Sequence, residues 1–374
     1  MSEIVAGGTG EFMTVRHLKL SGTQAEIGRA LAEQARDVHG WQPTPADPTI
    51  ERARRAWFER NWPQHHARLV GAAEVAGVPL DETSVHLDAL AGVPTGSGCS
   101  ATWCATPDGG LLGRNYDFFT VGWAQMFALM SGTEAPEHEP PVAARPYVVT
   151  TVPDDGPAVT FVTMNELDSA MDGINEHGLS VVLLIADAEN AGAPVPAGPQ
   201  VGLSPSQLPR FLLDTCENVE QAKSALLDAK QYDLGVPLHY LIADASGRSF
   251  VWEHAHGGVE HIVEPDGDAL CVTNHFLHRP ADASNDGEET MFSHERLDRL
   301  SKRTASGPMS PTLLREALDE VRFTAGKAGD YPLRTLWRTV FDLGARTMSA
   351  HFYLGDTADG EPRYSPELTF RPAG

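Results

Sequence analysis

The apolar pattern of this 374-residue chain changes once, near Gly92, and the dipeptide Gly98-Cys99 stands just past the change. Upstream, apolar residues recur at helical spacing. Downstream they fall in short runs rich in β-branched and aromatic residues, separated by turn formers. Many β-segments, helices kept in separate blocks and few βαβ alternations argue against a doubly wound parallel sheet. They predict an α+β fold of stacked layers, entered through a helical segment over residues 1–98 and continued by a second unit over 99–374.

Within the first unit, Thr23-Gln24-Ala25-Glu26 is a capping-box pattern, in which each end residue satisfies an orphan backbone donor of the first turn. Ile27, Leu31 and Ala35 continue at helical spacing, and Gly40 stops the helix. A second helix is predicted from Asp47-Pro48 through Trp57 and Phe58. A third follows Asn61-Trp62-Pro63 and closes at Gly77, and Leu80-Asp81 opens a short fourth.

From Ser97 to Asp117 the chain reads as strand, turn, strand, with Asp108-Gly109 as the hairpin signal. Further strands are predicted at Tyr147–Val152, Val159–Thr163, Leu179–Ile185, His239–Asp244, Ser249–His254, Leu270–Thr273 and Met348–Leu354. Helices are predicted over Ser206–Asp228 and Pro311–Phe323, and surface excursions at Ser131–Pro146, Ala188–Pro205 and Arg279–Thr290.

Cys99 opens the first of these strands. A free cysteine is often an inert, buried small hydrophobe. Arg114 lies fifteen residues on, across the hairpin, and Asp117 three beyond it. Strand pairing would bring Arg114 toward the sulfur, and a nearby guanidinium favours the reactive thiolate. On the residues alone, an Arg–Asp surface pair at a strand end explains the same segment equally well.

Gly98-Cys99-Ser100, Asp108-Gly109 and Gly113-Arg114-Asn115-Tyr116-Asp117 together resemble the opening of the mature chain in the cholylglycine hydrolase and penicillin V acylase group. They are more similar still to the isopenicillin N acyltransferase family, in which a Gly-Cys bond follows a helical prosegment. Gly173-Ile174-Asn175-Glu176-His177-Gly178-Leu179 resembles the family's turn before a central strand. Leu208–Cys216 leading to Val219–Ala222 resembles its long helix. Val272-Thr273-Asn274-His275-Phe276 and Ser293-His294-Glu295-Arg296-Leu297 resemble two further elements, and the matches fall in order along the chain.

The resemblance implies a four-layer αββα sandwich of the N-terminal-nucleophile class and autocleavage between Gly98 and Cys99. Cys99 would then carry both the nucleophilic thiol and, as base, an α-amine with an unperturbed pKa of about 7.7–8.0. It implies Arg114 as electrostatic partner of the sulfur, Asp117 as acceptor for the α-amine, Asn274 as oxyanion donor and Arg296 as part of the polar floor. Tyr116, Phe118, Met164 and Asn175 are candidate pocket residues, together with Trp103, Phe119 and the N-terminal helices. Core packing competes for the aromatics, and a turn role competes for Asn175. One family pattern sets the arginine a residue further from the cysteine than Arg114 is here, and Leu184-Ile185 stand where bile-salt enzymes carry a second asparagine.

A net charge of −23 argues against nucleic acid and anionic membranes as partners. No apolar run approaches the roughly 18 residues that span a bilayer. The amino terminus lacks a secretory pattern, and four scattered cysteines do not make a disulfide framework. The expectation is a cytoplasmic enzyme without cofactor or metal. It would act on a small-molecule N-acyl amide or acyl donor, as two chains of one cleaved precursor, with homo-oligomerisation left open. A zinc site from Cys99, Cys104, His275 and His278 is disfavoured, because strand residues five apart point to opposite faces. Hydrolysis of a linear amide is preferred over acyl transfer to an amine, and a non-catalytic binding protein on the same fold is the remaining alternative.

Overall fold

The structure, a computed structural model, describes residues 2–88, 98–134, 140–164, 167–186, 201–232, 236–279, 290–328 and 332–372. Gly92 and the inner parts of the three surface excursions lie outside the described residues.

Residues 1–98 are not purely helical. Two strands, β1 (Ser2–Gly7) and β2 (Thr14–Gly22), precede the first helix. Val15 and Leu18 of β2 are buried on opposite faces of the strand, so its apolar residues do not show the two-residue alternation that would mark a strand beside the helical period that follows. The helix α1 (Gln24–His39) begins with the expected capping box and ends at Gly40, whose φ of 66° is a left-handed cap. After β3 (Thr44–Pro45) come α2 (Pro48–Asn61), capped by the Asp47 carboxylate, and α3 (Pro63–Ala76), closed by Gly77. The short helix expected from Leu80 does not form. Arg55 of α2 donates to the Leu80 and Val85 carbonyls, holding the segment against α2, where β4 (Val85–His86) pairs with β3.

The predicted hairpin is β5 (Cys99–Thr106) and β6 (Gly109–Phe119), in the register Cys99 opposite Tyr116 and Ala101 opposite Arg114. Then follow α4 (Trp123–Ser131), β7 (Tyr147–Pro153), β8 (Val159–Thr163), β9 (Asp172–Asn175) and β10 (Ser180–Ile185). The single helix expected over Ser206–Asp228 is two, α5 (Gln207–Thr215) and α6 (Val219–Asp228), because Cys216 is extended and Asn218 caps a fresh first turn through Gln221 N. The chain continues through β11 (Leu238–Ala243), β12 (Ser249–Ala255), β13 (Val259–Val263), β14 (Ala269–Val272), α7 (Ser293–Ala305), α8 (Pro311–Glu320) and α9 (Ala325–Ala328). It ends with β15 (Leu333–Asp342), β16 (Thr347–Asp356), β17 (Pro362–Tyr364) and β18 (Leu368–Phe370).

These strands form two large sheets, ordered β1-β2-β7-β8-β9-β10-β11-β12-β13 and β14-β5-β6-β15-β16-β17, with β18 on β16. The β2–β7 ladder is parallel, and the other ladders are antiparallel. Helices α1, α5 and α6 pack on the first sheet, α7 and α8 on the second, and the sheets meet through β5–β10, β9–β16 and β12–β14. This is a four-layer αββα sandwich of the α+β class. Phe161, Val182 and Leu241 of one sheet and Leu112, Phe118 and Trp337 of the other share a single apolar core. A second core, with Leu111, Leu300, Leu314, Leu318 and Val340, seals α7 and α8 to their sheet. Each such side chain contributes about 1.5–3 kcal/mol on burial.

Candidate active site

Cys99 is the first residue of β5, buried where the two sheets approach. The tight turn falls at Pro107-Asp108, one residue before the Asp108-Gly109 signal, with Gly109 opposite Thr106, and it sets the register that brings Arg114 beside Cys99. Arg114 Nη2 lies 3.3 Å from the Cys99 sulfur and also donates to the Leu183 carbonyl at 2.7 Å. Burial pushes the Cys99 thiol up, Arg114 pulls it down, and the nearby Asp117 charge adds to the rise. The net direction is upward, so in the uncut chain the sulfur rests as a thiol.

Arg114 is fixed by a closed ring of contacts. Its Nη1 donates to Asp172 on β9. The other Asp172 oxygen accepts from Trp337 Nε1 at 2.8 Å. Trp337 stacks on Tyr116 with centroids 3.8 Å apart, and the Arg114 guanidinium lies 4.5 Å from the centroid of the same Tyr116 ring. Both partners of the Arg114–Asp172 ion pair are fully buried, so its geometry is held without competition from water.

The backbone of Cys99 is gripped by the two other sequence elements. Asn274 Oδ1 accepts the Cys99 N–H at 2.9 Å, and Asn274 Nδ2 donates to the Ile185 carbonyl at 2.7 Å. The amide orientation follows from this, since the reverse would set acceptor against acceptor. Arg296 Nη1 donates to the Cys99 carbonyl at 2.5 Å and to Ser100 Oγ at 2.6 Å, while Nη2 donates to Asn274 Oδ1 at 2.5 Å. Ser293, one turn before Arg296, accepts the Asn274 N–H on its hydroxyl at 2.8 Å. The loop carrying Asn274 and the helix α7 carrying Arg296 are thereby locked together.

Cys99, Arg114, Asn274 and Arg296 thus converge. In this uncut chain Asp117 is placed differently from the expectation: its carboxylate accepts from the Thr335 hydroxyl, and its backbone N–H donates to the Gly98 carbonyl at 2.9 Å. The position facing the Cys99 nitrogen belongs to Asn274.

The pocket residues divide. Tyr116 is sandwiched between Arg114 and Trp337, with its hydroxyl 3.8 Å from the Met164 sulfur. Phe118 packs against Phe119 and Trp123 in the core. Asn175 is corrected to a turn residue: its Nδ2 donates to Leu213 and Cys216 carbonyls, and its Oδ1 accepts from His177 and Leu179 N–H groups. Its side chain is buried and its amide is fully used on backbone groups.

Asp172, Trp337, Thr335 and Phe323 were not anticipated from the sequence. Asp172 immediately precedes the Gly173–Leu179 element, and with Glu166, Asp168 and Glu176 close by in sequence nothing local singled it out. A separate group, Glu51, His86 and Asp88, has ligand atoms close enough to hold a metal ion. Arg54 Nη1 donates to Glu51 Oε2 at 3.0 Å and to Asp88 Oδ1 at 3.3 Å and lies 3.1 Å from His86 Nδ1, so a guanidinium already fills the cation position. Among the described residues, no helix is long and apolar enough to cross a membrane.

A 29% identical stretch of 108 residues in the acyl-coenzyme A:6-aminopenicillanic-acid-acyltransferase 40 kDa form of Emericella nidulans covers 27% of this chain and 30% of that protein. The chain therefore spans about a third of the length of the curated relatives it matches. Among solved structures, penicillin V acylase from Agrobacterium tumefaciens superposes with a TM-score of 0.45 at 18% identity, over 71% of this chain and 84% of its own. Conjugated bile acid hydrolase from Clostridium perfringens superposes with a TM-score of 0.48 at 13% identity, over 72% and 96%. The family-wide pattern described as acyl-coenzyme A:6-aminopenicillanic acid acyl-transferase matches residues 104–359, well over half of the sequence. By that match the chain belongs to the acyl-coenzyme A:6-aminopenicillanic acid acyl-transferase family.

Proposed function

We propose that this protein is an autoprocessed cysteine amidohydrolase of the N-terminal-nucleophile class, cleaving a linear amide through an acyl-thioester on Cys99. The observation that carries the reading is the grip on one residue: Arg114 on the Cys99 sulfur, Asn274 on its nitrogen and Arg296 on its carbonyl. Any buried backbone needs partners, but here they are side chains rather than strand neighbours, and a guanidinium is set on the sulfur. Cutting the chain between Gly98 and Cys99 divides it into residues 1–98 and 99–374 and turns the Cys99 amide into an amine. That amine takes the proton of the thiol, with a pKa near working pH, and Asn274 Oδ1 is positioned to orient it.

Attack on the substrate carbonyl expels the amine of a small-molecule N-acyl amide, and water releases the acyl group. The family's description and the curated relative's name, both of an acyl-transferase, support acyl chemistry. Acyl transfer differs only in an amine replacing water at the thioester.

Intact mass and a denaturing gel of fresh protein, beside a Cys99→Ala variant, test the reading. Wild type should separate into residues 1–98 and 99–374 while the variant stays whole. An intact wild type whose Cys99 resists iodoacetamide would identify a binding protein on an enzyme fold. If fragments appear, release of free acid from N-acyl amides, with and without an added acceptor amine, separates hydrolysis from transfer.

A further inference from the structure

The residue before Cys99 is glycine, yet Gly98 does not occupy the left-handed region that favours glycine. Its requirement is space. A Cβ at this position would lie 3.0 Å from Phe323 Cε2 and 3.5 Å from Asp117 Cβ. On the carbonyl side, the Asp117 N–H donates to the Gly98 oxygen at 2.9 Å. That amide therefore faces the carbonyl to be cut.

Phe323 is pinned in its turn. Its N–H donates to Thr335 Oγ1 at 2.9 Å, and its carbonyl accepts the Thr335 N–H at 3.3 Å. The Arg296 guanidinium carbon lies 5.2 Å from the centroid of its ring. The Thr335 hydroxyl also donates to the Asp117 carboxylate. Thr335 thus ties the ring under Gly98 to the residue whose amide holds the Gly98 carbonyl.

We propose that Phe323 and the Asp117 amide form a seat for the scissile glycine, the amide as oxyanion donor of chain cleavage and Phe323 as the positioning residue. The inference rests on the autocleavage proposed above. In that step the Cys99 sulfur bonds to the Gly98 carbonyl carbon, and negative charge collects on the oxygen facing the Asp117 N–H. The bond from that carbon to the Cys99 nitrogen breaks as the thiol proton passes to the nitrogen. Water then splits the thioester, leaving a Gly98 carboxylate and restoring the thiol. The ring against the α-carbon decides where the carbonyl points, and loss of one oxyanion donor typically slows such steps about 10²–10³-fold.

The test is the rate at which fragments appear from full-length wild type, Gly98→Ala, Phe323→Leu and the double variant, followed by gel and mass. The methyl of Gly98→Ala should push the carbonyl off its donor and slow cleavage about tenfold or more, a partial loss of the donor. Phe323→Leu alone leaves the Gly98 α-carbon unsupported and should also slow cleavage. In the Gly98→Ala background the new methyl fills the vacated space, and Phe323→Leu should there restore most of the rate. Phe323→Leu cleaving at the wild-type rate overturns the positioning role. Gly98→Ala cleaving at the wild-type rate overturns the seat, as does a folded double variant no faster than Gly98→Ala. A wild-type chain that stays whole overturns the cleavage reading, and the seat with it.

Discussion

Asp172 holds one guanidinium nitrogen of Arg114 and so turns the other onto the Cys99 sulfur, 3.3 Å away. The carboxylate also offsets the charge of Arg114, so the sulfur feels only part of a cation. Asp172→Asn removes that offset. The unshared positive charge then favours thiolate, and the pH midpoint of Cys99 alkylation should move down by about one unit, equivalent to about 1.4 kcal/mol. Iodoacetamide labelling across pH checks the shift. Turnover should fall at the same time, because Trp337 Nε1 would meet an amide in place of a carboxylate. An unchanged labelling midpoint in folded protein would show that Asp172 does not act on the sulfur through Arg114.

The segment ahead of Gly98 is built into the sandwich. Strand β2 pairs with β7 over seven residues of parallel ladder, and Arg68 of α3 donates to Asp168 at 2.8 Å and to Asp214 at 2.6 Å in a buried cluster. After cleavage the two fragments should separate on a denaturing gel yet elute together on size exclusion, even in 1 M salt, where exposed ion pairs are screened. Arg68→Met leaves Asp168 and Asp214 short of a partner and should cost about 3–5 kcal/mol. Urea unfolding of the Cys99→Ala background measures that loss, with a midpoint equal to the parent's as the contrary result.

His65 lies in the same cluster, with Nδ1 2.8 Å from Asp168 and Nε2 3.8 Å from Asp88. Burial alone would lower it, but the two carboxylates outweigh burial and hold it above its usual value. A proton bound more tightly in the folded chain stabilises folding fully below the unfolded histidine pKa of about 6.5, and the contribution is lost as pH rises through the folded value. Asp88 and Asp168 are held below the usual carboxylate range against the desolvation of burial, chiefly by Arg54 and Arg68 respectively. Their contribution is present above about pH 3.9 and lost as pH falls through their lower folded values. The contribution of this cluster should therefore be fullest between about pH 4 and 6.5, and His65→Gln should remove its loss on the alkaline side. A thermal-unfolding series in matched buffers tests this, and an unchanged alkaline slope in His65→Gln would exclude His65 as its source.

Much of the site was legible because its first step is local. A turn signal around Asp108 marks a hairpin whose two-residue turn is Pro107-Asp108, and its register puts Arg114 near Cys99. Asn274 and Arg296 were reachable only through the resemblance, since nothing in their spacing points at a cysteine 175 or more residues away. Strands β1 and β2 went unseen because the apolar residues of β2, Val15, Leu18 and Leu20, keep no two-residue alternation and abut a well-capped helix.

By itself, the sequence determined the local structures: the capped α1, the Gly40 and Gly77 stops, the β5–β6 hairpin and the separation of helix blocks from strand blocks. These depend on residue period, capping chemistry and turn geometry, all of which act within a few residues. Only the tertiary structure decided that Asp172 reaches Arg114, that Thr335 reaches Asp117 across 218 residues of chain, and that Phe323 lies under Gly98. Such contacts arise where two sheets stack, and their partners follow from strand order and register summed over the whole sandwich. No local pattern carries that sum.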